Sequence, residues 1–206
     1  MTPNAFKAVV DIDLLGSFNT AHATMPHLIR ARPYPNTTTT GPDAAGRIIF
    51  VSATFHYTGL PMQAHVSAAK AGVDSLMGSV ALEYGPMGVT SNVIAPGPVE
   101  DTEGMSRLAG SDKLGGLEAK LSDEALEVRT RARDLRRNIP SGRWGTASDI
   151  ANATVYLFSE AGSYVNGHAL VVDGASWRRQ SGAMLGSEAS GPYPDYLLEY
   201  DCKSKL

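Results

Sequence analysis

The sequence predicts an α/β fold built on a parallel sheet, and two observations lead to this prediction. Residues 65–84 carry apolar side chains three and four positions apart, which is typical of one face of a helix, and residues 89–94 follow as a short strand. A helix that runs directly into a strand is half of a parallel α/β unit. Apolar runs at residues 47–51, suited to a strand buried on both faces, and at residues 169–172 bring the expected strands to three.

The composition is that of a globular protein and argues against several other classes. The 206 residues are 43% hydrophobic and 19% charged, and the length is enough for one domain with a sizeable core. A net charge of -3 gives no reason to expect nucleic acid as a partner. No apolar run has the roughly 20 residues of a membrane span, and the start lacks a secretory signal pattern. Cys202 is the single cysteine, so we expect a reducing compartment.

Two further helical patterns flank the expected strands. Residues 4–30 form a long one, which Asn4 or Thr2 can cap, and Asp13 lies on or beside its apolar side. Residues 146–159 form the other. Its residues expected to face inward are Ile150, Ala151, Val155, Leu157 and Phe158.

Two segments between these patterns are expected to be irregular or polar. Residues 31–46 are rich in Pro, Thr and Gly and predict a surface loop. Residues 99–140 are mostly polar, predict a helix near 122–137, and have a length more typical of a lid or binding loop than of a simple connection.

The carboxyl ends of the strands are where we expect the chemistry, because ligands of open α/β sheets bind beyond those ends. Residues 52–54 and 95–98 follow two of the strands, and Lys70 lies in the first turn of the helix between them. His56 and His65 show no ligand spacing, so no metal site is predicted. Three strands are few for such a sheet, and no two glycines stand in a G-x-G pattern. Both observations predict that part of the fold lies upstream.

Four motifs resemble the short-chain dehydrogenase/reductase superfamily. They are IIFVSA, AAKAGVDSLMGSVALEYGPMGVTSNVIAPGPV, the RWG and DIA segments at residues 143–151, and YVNGHALVVDGA. The resemblance implies that residues 1–175 are the C-terminal portion of a Rossmann-like doubly wound parallel sheet, without the Gly-rich N-terminal half. Residues 176–206 are then a C-terminal tail.

Within that superfamily the chain resembles the 2,4-dienoyl-CoA reductases of the peroxisomal type. The likeness rests on NAFKAVVDIDLLGSFN, on PGPVEDTEGMSRL, and on the final tripeptide Ser204, Lys205 and Leu206, a peroxisomal address read by an import receptor. Most members have a catalytic Tyr and Ser at the positions of Val66 and Ala53, neither of which can donate a proton. An ordinary Tyr-Ser-Lys alcohol dehydrogenase is therefore excluded.

The resemblance assigns roles residue by residue. It implies that Asp13 and Lys70 are catalytic and that Lys70 also holds the nicotinamide ribose. It places NADP(H) against a loop of five residues and acyl-CoA against four others. The loop residues are Pro96, Gly97, Pro98, Val99 and Thr102, and the acyl-CoA residues are Thr2, Pro3, Asn4 and Arg107.

The residues alone leave these roles open. Burial of Asp13 favours its protonated, proton-donating form, whereas a nearby ammonium favours the carboxylate. Taken without the resemblance, Lys70 is an ordinary solvated helix lysine, residues 96–102 are a Pro-rich turn, and Arg107 is a solvated charge.

The activity implied for the intact protein is NADPH-dependent reduction of 2,4-dienoyl-CoA to 3-enoyl-CoA in peroxisomal β-oxidation of unsaturated fatty acids, by a homo-oligomer. Two alternatives stay open. One is a different short-chain oxidoreductase, and the other is a catalytically dead half-domain that binds full-length subunits.

We predict that the 206 residues by themselves are inactive and bind NADPH weakly, because a dinucleotide pyrophosphate needs the N–H groups of a Gly-rich turn at a helix N-terminus. Titration of this chain with NADPH, followed by nicotinamide fluorescence, measures the affinity. A dissociation constant in the micromolar range would contradict the prediction.

Overall fold

Three parallel strands form one sheet in the order β1 (Gly46–Val51), β2 (Val89–Pro96) and β3 (Ala169–Val172). The register pairs Phe50 of β1 with Val93 of β2, and Val93 with Ala169 of β3. This confirms the predicted α/β class, the number of strands and their parallel direction. Within the described residues β1 pairs only with β2, and its last residue, Val51, is 58% exposed, so the expectation that this strand is buried on both faces is wrong at its end.

The computed structural model describes residues 1–30, 46–60, 63–103 and 139–180. The chain divides into two units, Met1–Pro96 with Ala147–Val172, and Gly97–Thr146 with Asp173–Leu206. The predicted loop at residues 31–46, except Gly46, and the predicted helix near 122–137 lie outside the described residues. The boundary between a domain at 1–175 and a tail at 176–206 stays a prediction.

The first helical stretch is continuous but not uniform. It comprises α1 (Pro3–Val9), a π-helical segment (Val10–Leu15) and α2 (Gly16–Arg30). Thr2 caps α1, because its Oγ1 accepts the Ala5 N–H at 3.2 Å. Asn4, the other predicted cap, lies inside the helix.

Four more α-helices follow within the described residues. They are α3 (Phe55–Thr58), α4 (Ala64–Tyr84), α5 (Ala147–Phe158) and α6 (Ser176–Gln180). Because α4 begins at Ala64, Lys70 lies in its second turn, and the prediction that it lies in the first turn is wrong. No helix among the described residues is long and apolar enough to span a membrane.

The core of the first unit lies between the sheet and helices α2 and α4. Apolar side chains from the sheet and from both helices are buried there, and they are Ala21, Met25, Phe50, Val73, Met77, Val80, Val89, Val93 and Ala95. The buried residues of α4 recur at spacings of three and four, as the helical pattern predicted.

Strand β2 is the most deeply buried element, and its polar residues are hydrogen-bonded inside the core. All seven residues from Val89 to Ala95 are buried. The Ser91 hydroxyl donates to the Met77 carbonyl at 3.0 Å, and the Asn92 amide donates to the Val165 carbonyl at 2.8 Å. Since a buried polar group without a partner costs about 1–3 kcal/mol, these bonds allow polar residues in the central strand.

Helix α5 buries only one of its two apolar stripes. Leu157 is buried and Ile150 is half-buried, as predicted, but Val155 and Phe158 are 65% and 50% exposed and Ala151 is exposed. The prediction was wrong for these three, because residues 151, 155 and 158 lie about 100° around the helix from residues 150, 154 and 157. The sheet covers only the stripe formed by residues 150, 154 and 157.

The close approach of α4 to the π-helical segment generates a stability prediction. A Cβ at Gly72 would lie 2.6 Å from Leu14 Cδ2, whereas a Cβ at Gly78 on the same helix meets nothing within 4 Å. We expect Gly72→Ala to lower the free energy of unfolding by about 1–3 kcal/mol through overpacking. The matched variant Gly78→Ala should raise it by up to about 1 kcal/mol, because alanine is the better helix former. Urea unfolding measures both, and equal effects at the two positions would contradict the packing argument.

Candidate active site

Asp13 lies in the π-helical segment, where the backbone makes a wider turn than in an α-helix. The Gly16 N–H bonds to the Asp11 carbonyl five residues earlier, and the Ser17 hydroxyl donates to the Asp13 carbonyl at 2.6 Å. Such turns add one residue to the helix and recur at functional sites. The extra residue changes the direction in which the Asp13 side chain leaves the helix, which a uniform spacing of 100° per residue does not describe.

Helix α4 packs directly against this segment. Gly72 has no side chain, so the methyl groups of Leu14 can lie against its backbone. Leu14 is the neighbour of Asp13, and Lys70 lies two residues before Gly72. The contact between Gly72 and Leu14 therefore brings the two predicted catalytic side chains to the same place.

Asp13 and Lys70 form an ion pair. Lys70 Nζ lies 3.0 Å from Asp13 Oδ1 and also donates to the Val51 carbonyl at 2.9 Å. The two side chains are only 23% and 18% exposed, so water screens their attraction incompletely. An ammonium has three donors, and these two partners use two of them. The remaining donor gives Lys70 the capacity to hold a hydroxyl or a water molecule of a ligand.

Ala53 and Val66, the apolar residues at the positions of the usual serine and tyrosine, lie close to the ends of β1 and α4. Ala53 is buried just beyond the carboxyl end of β1, and Val66 lies in the first turn of α4. Neither side chain can exchange a proton. Of the residues predicted to be catalytic, Asp13 and Lys70 are the ones that carry an ionisable group at the carboxyl end of β1.

A second polar cluster lies one helical turn beyond Lys70, and the sequence-based predictions do not include it. Asp74 Oδ2 contacts His56 Nε2 at 2.8 Å and accepts the Tyr57 hydroxyl at 3.0 Å. Burial raises the pKa of the Tyr57 phenol above its usual range, and the charge and the hydrogen bond of Asp74 raise it further. From the sequence, His56 was noted only as showing no metal-ligand spacing. The signal available was the spacing of four residues between Lys70 and Asp74, which puts both on one face of α4.

The predicted cofactor loop begins at Pro96, the last residue of β2, and continues in the second unit. In that unit Gly97 packs against the turn after β3, since a Cβ at Gly97 would lie 2.5 Å from the Asp173 Cβ. The Thr102 hydroxyl donates to the Val99 carbonyl at 2.9 Å and so closes the loop on itself.

Backbone hydrogen bonds to Gly145 hold this loop in place. The Gly145 N–H donates to the Pro98 carbonyl, and the Glu100 N–H donates to the Gly145 carbonyl, each at 2.9 Å, so that Val99 and Gly145 form a short parallel bridge. Gly145 belongs to the RWG motif at residues 143–145. This motif therefore fixes the backbone of the loop to which the sequence assigned cofactor binding.

The other predicted site residues are less informative. Thr2, Pro3 and Asn4 are exposed at the start of α1. Arg107 and the tripeptide Ser204, Lys205 and Leu206 lie outside the described residues. In the part of the chain that the structure describes, no group of His, Cys, Asp or Glu side chains is arranged to hold a metal ion.

The family of the chain follows from comparison with known proteins. A family model described as enoyl-(acyl carrier protein) reductase matches residues 1–175. The chain belongs to this family of the short-chain dehydrogenase/reductase superfamily. A solved structure of gluconate 5-dehydrogenase from Burkholderia cenocepacia, in complex with NADP and tartrate, is similar with a TM-score of 0.64 and 28% identity. The match covers 85% of this chain and 57% of that one.

Two curated relatives of higher identity share one name. The chain is 46% identical over 199 residues to a peroxisomal 2,4-dienoyl-CoA reductase, (3E)-enoyl-CoA-producing, of Saccharomyces cerevisiae, and the match covers 97% of this chain and 56% of the relative. It is 40% identical over 178 residues to the enzyme of that name from Arabidopsis thaliana, covering 86% and 52%. The chain thus spans about half the length of the curated relatives it matches.

The ion pair generates a prediction about stability. In a double-mutant cycle of Asp13→Ala and Lys70→Met, we expect a coupling free energy of about 0.5–2 kcal/mol, because the pair is half-buried and partly shielded from water. The Lys7–Asp11 pair on the same helical stretch is the control, since its side chains are 73% and 43% exposed. Its coupling should be about 0.3–0.5 kcal/mol and should decrease with salt. Urea unfolding of the variants measures both values, and equal coupling in the two pairs would contradict the role of burial.

Proposed function

We propose that the protein containing these residues reduces 2,4-dienoyl-CoA thioesters with NADPH to 3-enoyl-CoA, in β-oxidation of unsaturated fatty acids. The observation that supports this most is the ion pair of Asp13 and Lys70 beside Ala53 and Val66. A conjugated thioester needs a proton on carbon, delivered as charge develops on the thioester oxygen, and a water molecule held by an ammonium and a carboxylate can deliver it. The names of the relatives at 46% and 40% identity support the same substrate.

The cofactor of this proposal is NADP(H). Its reduced form supplies a hydride to the distal carbon of the diene. The residues that we propose to hold its nicotinamide end are Lys70, Pro96, Gly97, Pro98, Val99 and Thr102. The third donor of the Lys70 ammonium suits a ribose hydroxyl, and that hydroxyl can in turn hold the water molecule that delivers the proton.

The proton is the part of the reaction that we assign to Asp13 and Lys70. The positive charge of Lys70 stabilises negative charge that develops nearby, because the pair is partly removed from water. Asp13 and the Val51 carbonyl orient the ammonium, so its third N–H points in a defined direction. A water molecule held through this donor gives its proton to the carbon next to the thioester and takes one from the Lys70 ammonium, which regains a proton from solvent. The remaining double bond lies between the third and fourth carbons.

For the substrate and the location we propose acyl-CoA and the peroxisome. Arg107 suits a CoA phosphate, since a guanidinium binds phosphate through two hydrogen bonds, and Thr2, Pro3 and Asn4 suit the acyl segment. The final tripeptide Ser204, Lys205 and Leu206 matches the address that the peroxisomal import receptor reads. The relatives named peroxisomal support this location.

We also propose that the protein is a homo-oligomer. Three large apolar side chains are exposed along the π-helical segment and the start of α2, and they are Ile12, Leu15 and Phe18. They recur every three residues and so form one stripe on the outside of the helical stretch that carries Asp13. An exposed apolar stripe of this kind is typical of a surface that another subunit covers.

The proposed reaction can be tested with the intact protein. We expect consumption of NADPH with a 2,4-dienoyl-CoA and none with a panel of simple ketones. Lys70→Met and Asp13→Ala should each lower kcat by about 10²–10⁴-fold, the range for loss of a positioned proton donor. In D₂O the product should carry one deuterium on the carbon beside the thioester, as measured by mass spectrometry and NMR.

Controls come from the exposed Lys7–Asp11 pair of the same helical stretch. Lys7→Met and Asp11→Ala should leave kcat unchanged. Turnover of ketones without turnover of dienoyl-CoA would favour a different short-chain oxidoreductase. No turnover, together with stable binding to an intact homologous subunit in a pull-down, would favour the half-domain alternative.

A further inference from the structure

Two neighbouring residues on one face of α4 bind the same short segment of chain. Lys70 donates to the carbonyl of Val51, the last residue of β1, at 2.9 Å. Asp74, one turn later, contacts His56 at 2.8 Å and accepts the Tyr57 hydroxyl at 3.0 Å. Both ends of the segment from Val51 to Tyr57 are therefore bound to α4, at positions four residues apart.

The contact around Asp74 is well protected from water. The side chains of His56 and Asp74 are only 6% and 19% exposed. Asp74 Oδ2 takes both donors, whereas Asp74 Oδ1 and His56 Nδ1 are buried with no hydrogen-bond partner among the described residues. With Nε2 as the donor to the carboxylate, the neutral imidazole carries its proton there and leaves a lone pair at Nδ1. Hydrogen bonds to a buried charge are stronger than neutral ones, so this cluster resists separation.

The segment between the two contacts is buried at Ser52, Ala53 and Thr54 and contains one short helix. The last ladder bond to β2 is from the Ser52 N–H to the Ile94 carbonyl at 2.8 Å. After it come Ala53, which has no polar side chain, and α3, which has four residues. Helices this short are not stable by themselves in water. The position of the chain after β1 thus depends on tertiary contacts such as the one with Asp74.

We propose that Asp74, His56 and Tyr57 form a clasp that holds the segment after β1 against α4 and thereby positions the Lys70 ammonium for proton delivery. The proposal rests on the proposed function. The clasp keeps the Val51 carbonyl at hydrogen-bond distance from Lys70 Nζ, and that carbonyl together with Asp13 sets the direction of the third N–H. The three residues are positioning residues, because they act through Lys70 and not on the substrate or the cofactor.

The expected effect of breaking the clasp is a loss of rate with little loss of binding. Without Asp74 we expect the chain beyond the Ser52 ladder bond to move more freely, so that the Val51 carbonyl is held by that ladder bond alone and the ammonium samples more orientations. A misplacement of about 1 Å costs up to about 10²-fold in rate. Lys70 is one of several residues proposed to hold the cofactor, so we expect binding to weaken only slightly, whereas proton delivery slows and limits the overall rate more strongly.

The test compares four variants of the intact protein. Asp74→Ala should lower kcat about 10- to 100-fold, with KM for NADPH and dienoyl-CoA within about two-fold, which is the pattern of an interaction needed only in the transition state. The solvent deuterium isotope effect on kcat should rise.

The other three variants are comparisons. Asp74→Asn keeps an acceptor oxygen and should restore most of the rate. Tyr57→Phe removes one of two donors and should have a smaller effect in the same direction. Glu83→Ala, an exposed carboxylate on the same helix, should change nothing.

A double variant tests whether the clasp acts through Lys70. Asp74→Ala should cause no further loss of kcat in a Lys70→Met background, because the group that it positions is gone. Additive losses would overturn the proposal, as would an unchanged isotope effect or an increase confined to KM. If Asp74→Ala does not fold, Tyr57→Phe decides the question, and an unchanged kcat in that variant would overturn the clasp.

Failure of the proposed function is distinguishable from failure of the clasp. If the unmodified protein does not turn over dienoyl-CoA, the function is wrong, and the clasp is then tested without substrate. Amide hydrogen exchange at residues 52–57 should be faster in Asp74→Ala than in the unmodified protein. The ¹⁵N ammonium signal of Lys70, assigned with Lys70→Arg, should weaken in the same variant. If both measurements stay unchanged in Asp74→Ala, the clasp proposal is overturned.

Discussion

The arrangement of the first unit depends on one half-buried ammonium. Lys70 cannot leave water without acceptors, because burying an unpaired charge is far more costly than burying a polar group. Its acceptors come from two distant parts of the chain, the carboxylate of Asp13 and the carbonyl of Val51. The helix α4, the π-helical segment and the end of β1 therefore have to meet at one point. The small size of Gly72 allows that meeting, since Leu14 occupies the place of its missing side chain.

A similar rule organises the sheet around β2. This strand is buried on both faces although it contains Ser91 and Asn92. The Ser91 N–H donates to Asn166 Oδ1 at 2.8 Å, and the His168 N–H donates to Asn92 Oδ1 at 3.0 Å. These bonds connect the centre of the sheet to the turn that leads into β3. The requirement that buried polar groups be satisfied thus helps to define where the third strand starts.

The site gives a physical reason for a departure from the superfamily pattern. With Ala53 and Val66 at the positions of the usual serine and tyrosine, neither of these two positions carries a hydroxyl that could supply a proton. A phenol suits the oxygen of a ketone, whereas proton delivery to carbon, next to a thioester, can proceed through water. The pairing of Asp13 with Lys70 suits that requirement, and the proposed clasp explains how the ammonium keeps its direction.

The sequence alone determined the α/β class, the three strands seen in the described residues, the family and the candidates Asp13 and Lys70. These follow from local periodicity and from residue types at given positions, which the sequence carries directly. Only the tertiary structure decided the π-helical turn at Asp13, the exposure of Val155 and Phe158, and the bonds of Lys70 to Val51 and of Asp74 to His56 and Tyr57. A backbone carbonyl has no side-chain identity to read, and which of two apolar stripes becomes buried depends on the surface that the rest of the fold presents to it.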